Sequence, residues 1–335
     1  MDLVIDTTAP APFLPPSDAV LLPWRRLEHP VAWSSVFGRT APLHLEVGFG
    51  DGRFTARRAL AHPEDDFVGL EVSSTSVQRA WRRMRRDGVG NVRLLKAPAE
   101  VAVRQLFAAG ALRSITVNFP DPWPKERHAH HRLLRAPFFR LAATRLAPGG
   151  EVRLASDHLP YVAFARDEAA RSGVARRERR DPPPEVFETK YALKWREQGK
   201  PLCYEVFVLD GTGVPFEPPI ARSDPMPHAL LAGTLPADAP FAKLVVPVGD
   251  AHVVVHEAAR ALGRDDRWLF RVTLDEGELV QQVLVVAQRR QGDEWIVRLE
   301  SFGDPLVTPA ARGAVGAVSD WLEGTVGLRV VARNY

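Results

Sequence analysis

The chain has 335 residues, 45% of them hydrophobic and 25% charged, enough for at least one full core and room for two domains. Its single cysteine, Cys203, excludes a disulfide framework and a multi-cysteine metal site, and fits a cytoplasmic protein. No apolar run approaches the ~20 residues of a membrane-spanning helix, and a net charge of +3 conceals an asymmetry: residues 1–210 carry 32 Lys and Arg against 25 Asp and Glu, residues 211–335 carry 12 against 16.

Residues 1–40 are proline-rich with little periodicity, and Trp24, Trp33 and Phe37 are their only large anchors, so they read as an N-terminal arm. From there the pattern alternates. Apolar runs at Leu43–Val47, Phe67–Leu70, Val92–Leu95, Ser114–Asn118 and Val152–Ala155 predict strands, and amphipathic stretches near 53–61, 75–87, 100–108, 132–146 and 160–171 predict helices between them. That order predicts an α/β domain over 41–213 with a doubly wound, mostly parallel, Rossmann-like sheet, and a ligand crevice at the carboxyl ends of the strands. After the Asp181-Pro182-Pro183-Pro184 break, strand-like runs near 190–195 and 203–209 are expected to close its edge.

Five prolines in 211–227 mark a linker, and runs at Ala242–Val248, Ala251–Val255, Trp268–Thr273, Leu279–Ala287 and Trp295–Ser301 predict a smaller α+β domain over 214–335, with Trp268, Trp295 and Trp321 in its core. Its acidic balance and apolar strands suggest a stabilising or docking module.

Two segments carry chemistry. In Leu43-His44-Leu45-Glu46-Val47-Gly48-Phe49-Gly50-Asp51-Gly52 a glycine-rich turn joins the first strand to the first helix of the repeat, where backbone approaches a ligand closely. The third glycine comes one residue too early for a dinucleotide fingerprint. With Glu46 ahead of the loop, this spacing suits a cofactor that lacks pyrophosphate and carries positive charge, and Glu71, 19 residues after Gly52, is placed to accept from ribose hydroxyls. The second segment, Asn118-Phe119-Pro120-Asp121-Pro122-Trp123-Pro124-Lys125, follows the fourth strand. Its three alternating prolines fix φ and hold Asp121 and Lys125 in a defined geometry.

With these motifs, with Arg127 and His128, with Ala155-Ser156-Asp157 and with Thr189-Lys190-Tyr191, the chain resembles the bacterial tRNA (guanine-N7-)-methyltransferases over about residues 40–210. The resemblance implies S-adenosylmethionine as methyl donor and a guanine of the tRNA variable loop as acceptor, with 7-methylguanosine as product. It further implies cofactor contacts at Glu46, Gly48, Gly50, Glu71 and Asp121, substrate contacts at Lys125, Asp157, Thr189, Lys190 and Tyr191, and a catalytic role for Asp121. Two positions depart from the family: Pro98-Ala99 stands where an aspartate precedes alanine, with Glu100 the nearest replacement, and Ala192 stands where a glutamate is usual, with Glu188 nearby.

The chemistry accords with that acceptor. Guanine N7 has an in-plane lone pair and no proton, so its methylation needs no general base. A site for an exocyclic amine would carry Asn-Pro-Pro-aromatic, from which Asn118-Phe119-Pro120-Asp121 differs at its second and fourth places. The intact acidic and glycine positions disfavour a non-catalytic RNA-binding protein, and the glycine spacing disfavours a dinucleotide oxidoreductase. Basic groups at Arg79, Arg82, Arg83, Arg85 and Arg86, at Arg127, Arg132 and Arg135, and at Arg176, Arg177, Arg179 and Arg180 are candidates for tRNA phosphates. His128, His130 and His131 near Asp157 and His158 are read as an RNA-facing loop, so no metal is expected, and neither a membrane nor an obligate protein partner is evident.

Overall fold

A computed structural model describes residues 15–16, 18–198, 201–220, 226–236 and 239–335, and these described residues divide into two compact units, one ending at Pro219 and one beginning at Ile220. In the first, β1 (Leu21–Leu22), β2 (Leu43–Val47), β3 (Asp66–Glu71), β4 (Val92–Lys96), β5 (Leu112–Asn118), β6 (Leu146–Ser156), β7 (Ala175–Glu178) and β8 (Cys203–Leu209) form one sheet in the order β1-β4-β3-β2-β5-β6-β8-β7. All neighbours are parallel up to β6, and β8 runs antiparallel to both β6 and β7. This is the doubly wound arrangement, and its strand order reverses between β2 and β5, where such sheets open a crevice at their carboxyl ends.

Helices α1 (Trp33–Phe37), α2 (Arg53–Ala61), α3 (Ser74–Arg86), α4 (Ala99–Leu106), α5 (Ala136–Arg145), α6 (Leu159–Ser172) and α7 (Lys190–Glu197) surround the sheet. Helix α3 shows how the pattern works: Ser73 caps it by accepting from the Ser76 amide at 3.3 Å, Val77, Ala80 and Met84 are buried at helical spacing, and the arginines keep the other side. The strand expected near 190–195 is instead α7. Thr189 begins it, accepting the Ala192 amide on its hydroxyl at 3.1 Å and the Leu193 amide on its carbonyl at 3.1 Å, and this local cap decides between two readings that a short apolar run leaves open. Trp24 and Trp33 of the first forty residues are buried; Trp33 donates from Nε1 to the Leu106 carbonyl at 3.1 Å.

The second unit holds β9 (His228–Ala232), β10 (Leu244–Val248), β11 (Ala251–Arg260), β12 (Arg267–Glu276), β13 (Leu279–Arg289), β14 (Glu294–Leu299) and β15 (Arg329–Asn334), in the order β10-β11-β12-β13-β14-β9-β15, every pair antiparallel. Helix α8 (Pro309–Trp321), capped by Thr308, packs its alanines and valines against this sheet. Strands β9 and β15 and helix α8 are not marked by periodic runs in the sequence, but Trp268, Trp295 and Trp321 are buried in the core as expected. Among the described residues, no helix is long and apolar enough to cross a membrane.

Candidate active site

At the carboxyl ends of β2, β3 and β5 lies a cavity of about 420 Å³, a volume suited to one small molecule. Glu46, Gly48, Gly50, Glu71, Asp121, Thr189 and Tyr191 all line it, together with Asn118, Phe119 and Arg79. Lys125 is exposed and Asp157 half-buried, and both lie outside that lining; the Lys190 side chain lies outside the described residues.

The glycine loop differs from a phosphate cradle in one decisive way. The Gly48 amide donates to the Leu70 carbonyl at 2.8 Å and the Gly50 amide to Glu71 Oε2 at 3.0 Å, so these N–H groups are already spent. A pyrophosphate would find these two glycine amides already engaged. Gly50 has φ +56 with nothing within 4 Å of where a Cβ would stand, so it keeps the backbone open to the cavity, whereas a Cβ on Gly52 would meet Ala80 Cβ at 2.6 Å, so that glycine serves the packing of α2 on α3. Glu71 Oε1 accepts from the Val72 and Ser73 amides at 2.8 and 3.0 Å. Three amides therefore hold this carboxylate at the rim, and its remaining lone pairs stay available to hydroxyl donors.

Glu46 sits deeper, 5% exposed. Thr55 donates to Oε2 and Asn118 Nδ2 to Oε1 at 3.0 Å, yet burial outweighs both bonds and pushes its pKa up to about 7. Asn118 Oδ1 is itself buried and has no hydrogen-bond partner among the described residues. A cationic ligand would relieve both conditions, by favouring the ionised carboxylate and by giving the orphaned oxygen a positive neighbour. The residues present thus fit a small ligand with positive charge and ribose hydroxyls.

The proline loop is held in an unusual backbone state. Phe119 and Trp123 have φ of +51 and +42, a region that costs a residue bearing a side chain on the order of 1 kcal/mol or more. What holds it is Arg132, whose Nε donates to the Pro122 carbonyl at 3.1 Å and whose Nη2 donates to the Trp123 carbonyl at 2.9 Å, with the guanidinium 4.6 Å over the Phe164 ring. The Phe119 amide also bonds the Ala155 carbonyl at 2.8 Å. Asp121 consequently stands exposed at the cavity lip on a clamped backbone, and Phe119 and Tyr191 face each other at 6.1 Å beside it. Nothing in the sequence singled out Arg132 as a clamp rather than a phosphate contact, because the carbonyls it binds lie nine and ten residues earlier in an irregular loop.

The structure also gives the local partners of the other candidate residues. Thr189 lines the cavity, and its hydroxyl donates to the Val186 carbonyl at 2.9 Å and accepts the Ala192 amide as the cap of α7. Glu100 pairs with Arg135 at 2.9 Å and Glu188 pairs with Arg57, and neither lines the cavity. Of the basic clusters, Arg83 bonds the Asp51 carbonyl and carboxylate at 3.0 and 3.2 Å, Arg86 pairs with Asp87, and Arg176, Arg177 and Arg180 pair with Glu178, Glu205 and Glu151. Arg79 and Arg82 are exposed and make no ion pair among the described residues, so they are the more available cations on α3.

A family model described as "Putative methyltransferase" matches residues 40–204. The chain is 45% identical over 306 residues to a tRNA (guanine-N(7)-)-methyltransferase of Deinococcus radiodurans, covering 88% of this chain and 92% of that protein. It is 44% identical over 313 residues to the enzyme of that name from Thermus thermophilus, covering 93% and 98%, and 32% identical over 304 residues to that from Thermotoga maritima, covering 88% and 93%.

Proposed function

The chain belongs to the tRNA (guanine-N(7)-)-methyltransferase family, and from that premise we propose that it transfers a methyl group from S-adenosylmethionine to N7 of a guanine in the variable loop of tRNA, forming 7-methylguanosine. The observation that carries this reading is an acidic cavity with its loop amides already spent, bearing Asp121 at its lip on a clamped backbone.

S-adenosylmethionine supplies an electrophilic methyl on a sulfonium. Glu71 would hold the donor's ribose hydroxyls, and Glu46, ionised when a cation lies beside it, would balance its positive charge. No residue needs to remove a proton from the acceptor, since N7 carries none, so the protein's contribution is orientation and electrostatics. Tyr191 offers the purine a ring face beside Phe119, and Lys125 and Asp157 make the outer contacts to the substrate. The transferred methyl, leaving its sulfur as it joins N7, would leave positive charge on the purine. The Asp121 carboxylate, fixed by its prolines and by Arg132, offsets that charge where it arrives.

The test is methyl transfer from labelled S-adenosylmethionine to tRNA followed by nucleoside analysis, with Asp121→Ala beside the parent protein. Labelled 7-methylguanosine is expected, falling at least about 100-fold in the variant at unchanged melting temperature because Asp121 is exposed. A different methylated nucleoside would overturn the acceptor assignment, and undiminished transfer by Asp121→Ala would overturn the role of Asp121.

A further inference from the structure

Asn118 is the last residue of β5, 9% exposed, and on the cavity wall. Its amide cannot be turned over freely. Nδ2 donates to Glu46 Oε1 at 3.0 Å, and with Glu46 ionised, as a cationic ligand beside it would keep it, reversing the group would set carbonyl oxygen against carboxylate oxygen. Glu46 thereby fixes Asn118 Oδ1 as an acceptor directed away from itself, and that oxygen is buried without a hydrogen-bond partner. Among the described residues it is the one such side-chain atom on the wall of this cavity. Buried acceptors are seldom left unused, and one held in this state in a binding cavity is prepared for something the ligand brings.

We propose that Asn118 Oδ1 is the element by which this protein tells its charged methyl donor from the neutral thioether product, by facing the sulfonium and its transferable methyl. This rests on the methyltransferase reading above. The donor carries two cations, and the chemistry of the wall sorts them. An ammonium brings N–H donors and is best met by a full carboxylate, which Glu46 supplies. A sulfonium has no N–H to give and is met by a carbonyl lone pair acting through its dipole and through weak C–H···O contacts from the polarised methyl. Position agrees: Asn118 lies three residues before Asp121, so the ligand group it meets lies next to the acceptor's entry, where the methyl must be for transfer. After transfer the sulfur is neutral, the oxygen again lacks a partner of opposite sign, and the product is bound less well.

The measurement is equilibrium binding of S-adenosylmethionine and S-adenosylhomocysteine, by titration calorimetry, to the full-length protein and three variants. Asn118→Ala is expected to weaken the donor about fivefold and the product less than about twofold. Thr55→Val removes the other donor to Glu46 and leaves Oδ1 in place, so it should leave the ratio of the two affinities unchanged. Asn118→Ser removes Oδ1 while keeping a small hydroxyl donor on the Glu46 side, and should lower the ratio in the same direction, which keeps the question open to test if Asn118→Ala does not fold. Equal weakening of both ligands would assign the oxygen to a part they share; no change in either would mean that it meets neither ligand; the same ratio change in Thr55→Val would mean that the effect belongs to Glu46. Each of these overturns the proposal. A parent protein that binds neither ligand would instead overturn the methyltransferase reading itself.

Discussion

Replacing Glu46 with glutamine should make the protein more stable at pH 8 and leave it almost unchanged at pH 4. Glu46 is 5% exposed, and burial carries its pKa from the ordinary 4.5 to about 7 despite the hydroxyl of Thr55 and the amide of Asn118. The folded protein therefore holds a proton on this carboxyl more tightly than the unfolded chain does. Its contribution to stability is fully present below pH 4.5 and is lost as the pH rises through about 7. A displacement from 4.5 to about 7 corresponds to about 3 kcal/mol, which the isosteric and non-titrating glutamine does not lose. For a unit of this size that is roughly 6–10 °C in melting temperature. The assay is thermal unfolding of both proteins, followed by circular dichroism, at half-unit intervals from pH 4.5 to 8.5. The difference between them should grow with pH and level off above about 7; a difference constant across that range would refute the reasoning, since it would mean that Glu46 is ionised throughout. The same substitution removes the charge that the donor's cation needs, so a gain in stability is expected alongside donor binding weakened by about tenfold, the exchange common where a functional site holds an unfavourable group.

Two further outcomes follow from contacts around the site. Arg132→Ala releases the Pro122 and Trp123 carbonyls and leaves Phe119 and Trp123 to relax from positive φ, so kcat should fall by roughly tenfold or more while S-adenosylmethionine affinity stays within about twofold; an unchanged kcat would mean that the prolines alone hold the loop. The double variant Arg79→Ala and Arg82→Ala should reduce the slope of log affinity for tRNA against log salt by up to about two, whereas Arg176→Ala and Arg177→Ala, already paired to Glu178 and Glu205, should change it less; equal slopes in both would refute the assignment of α3 as the phosphate face.

The sequence by itself determined the alternation of strands and helices from residue 43 onward, and with it the doubly wound sheet, because hydrophobic periodicity is a local property and each run of five to fourteen residues carries its own. It also determined the two loops that border the cavity, since glycine and proline act on the backbone wherever they stand. Where two local readings competed, as at residues 190–195, periodicity chose wrongly and the Thr189 cap decided. What the tertiary structure alone decided is which polar groups are spent and which are free. Gly50 meets Glu71 across 21 residues and Asn118 meets Glu46 across 72, and only through those encounters are the loop's glycine amides spent and is a buried oxygen on the cavity wall left without a partner among the described residues. The arginines make the same point: Arg132, Arg83 and Arg177 look alike in sequence, yet one clamps a loop, one anchors a turn and one lies in an ion pair, because a guanidinium takes its role from the acceptor the fold brings within about 3 Å of it.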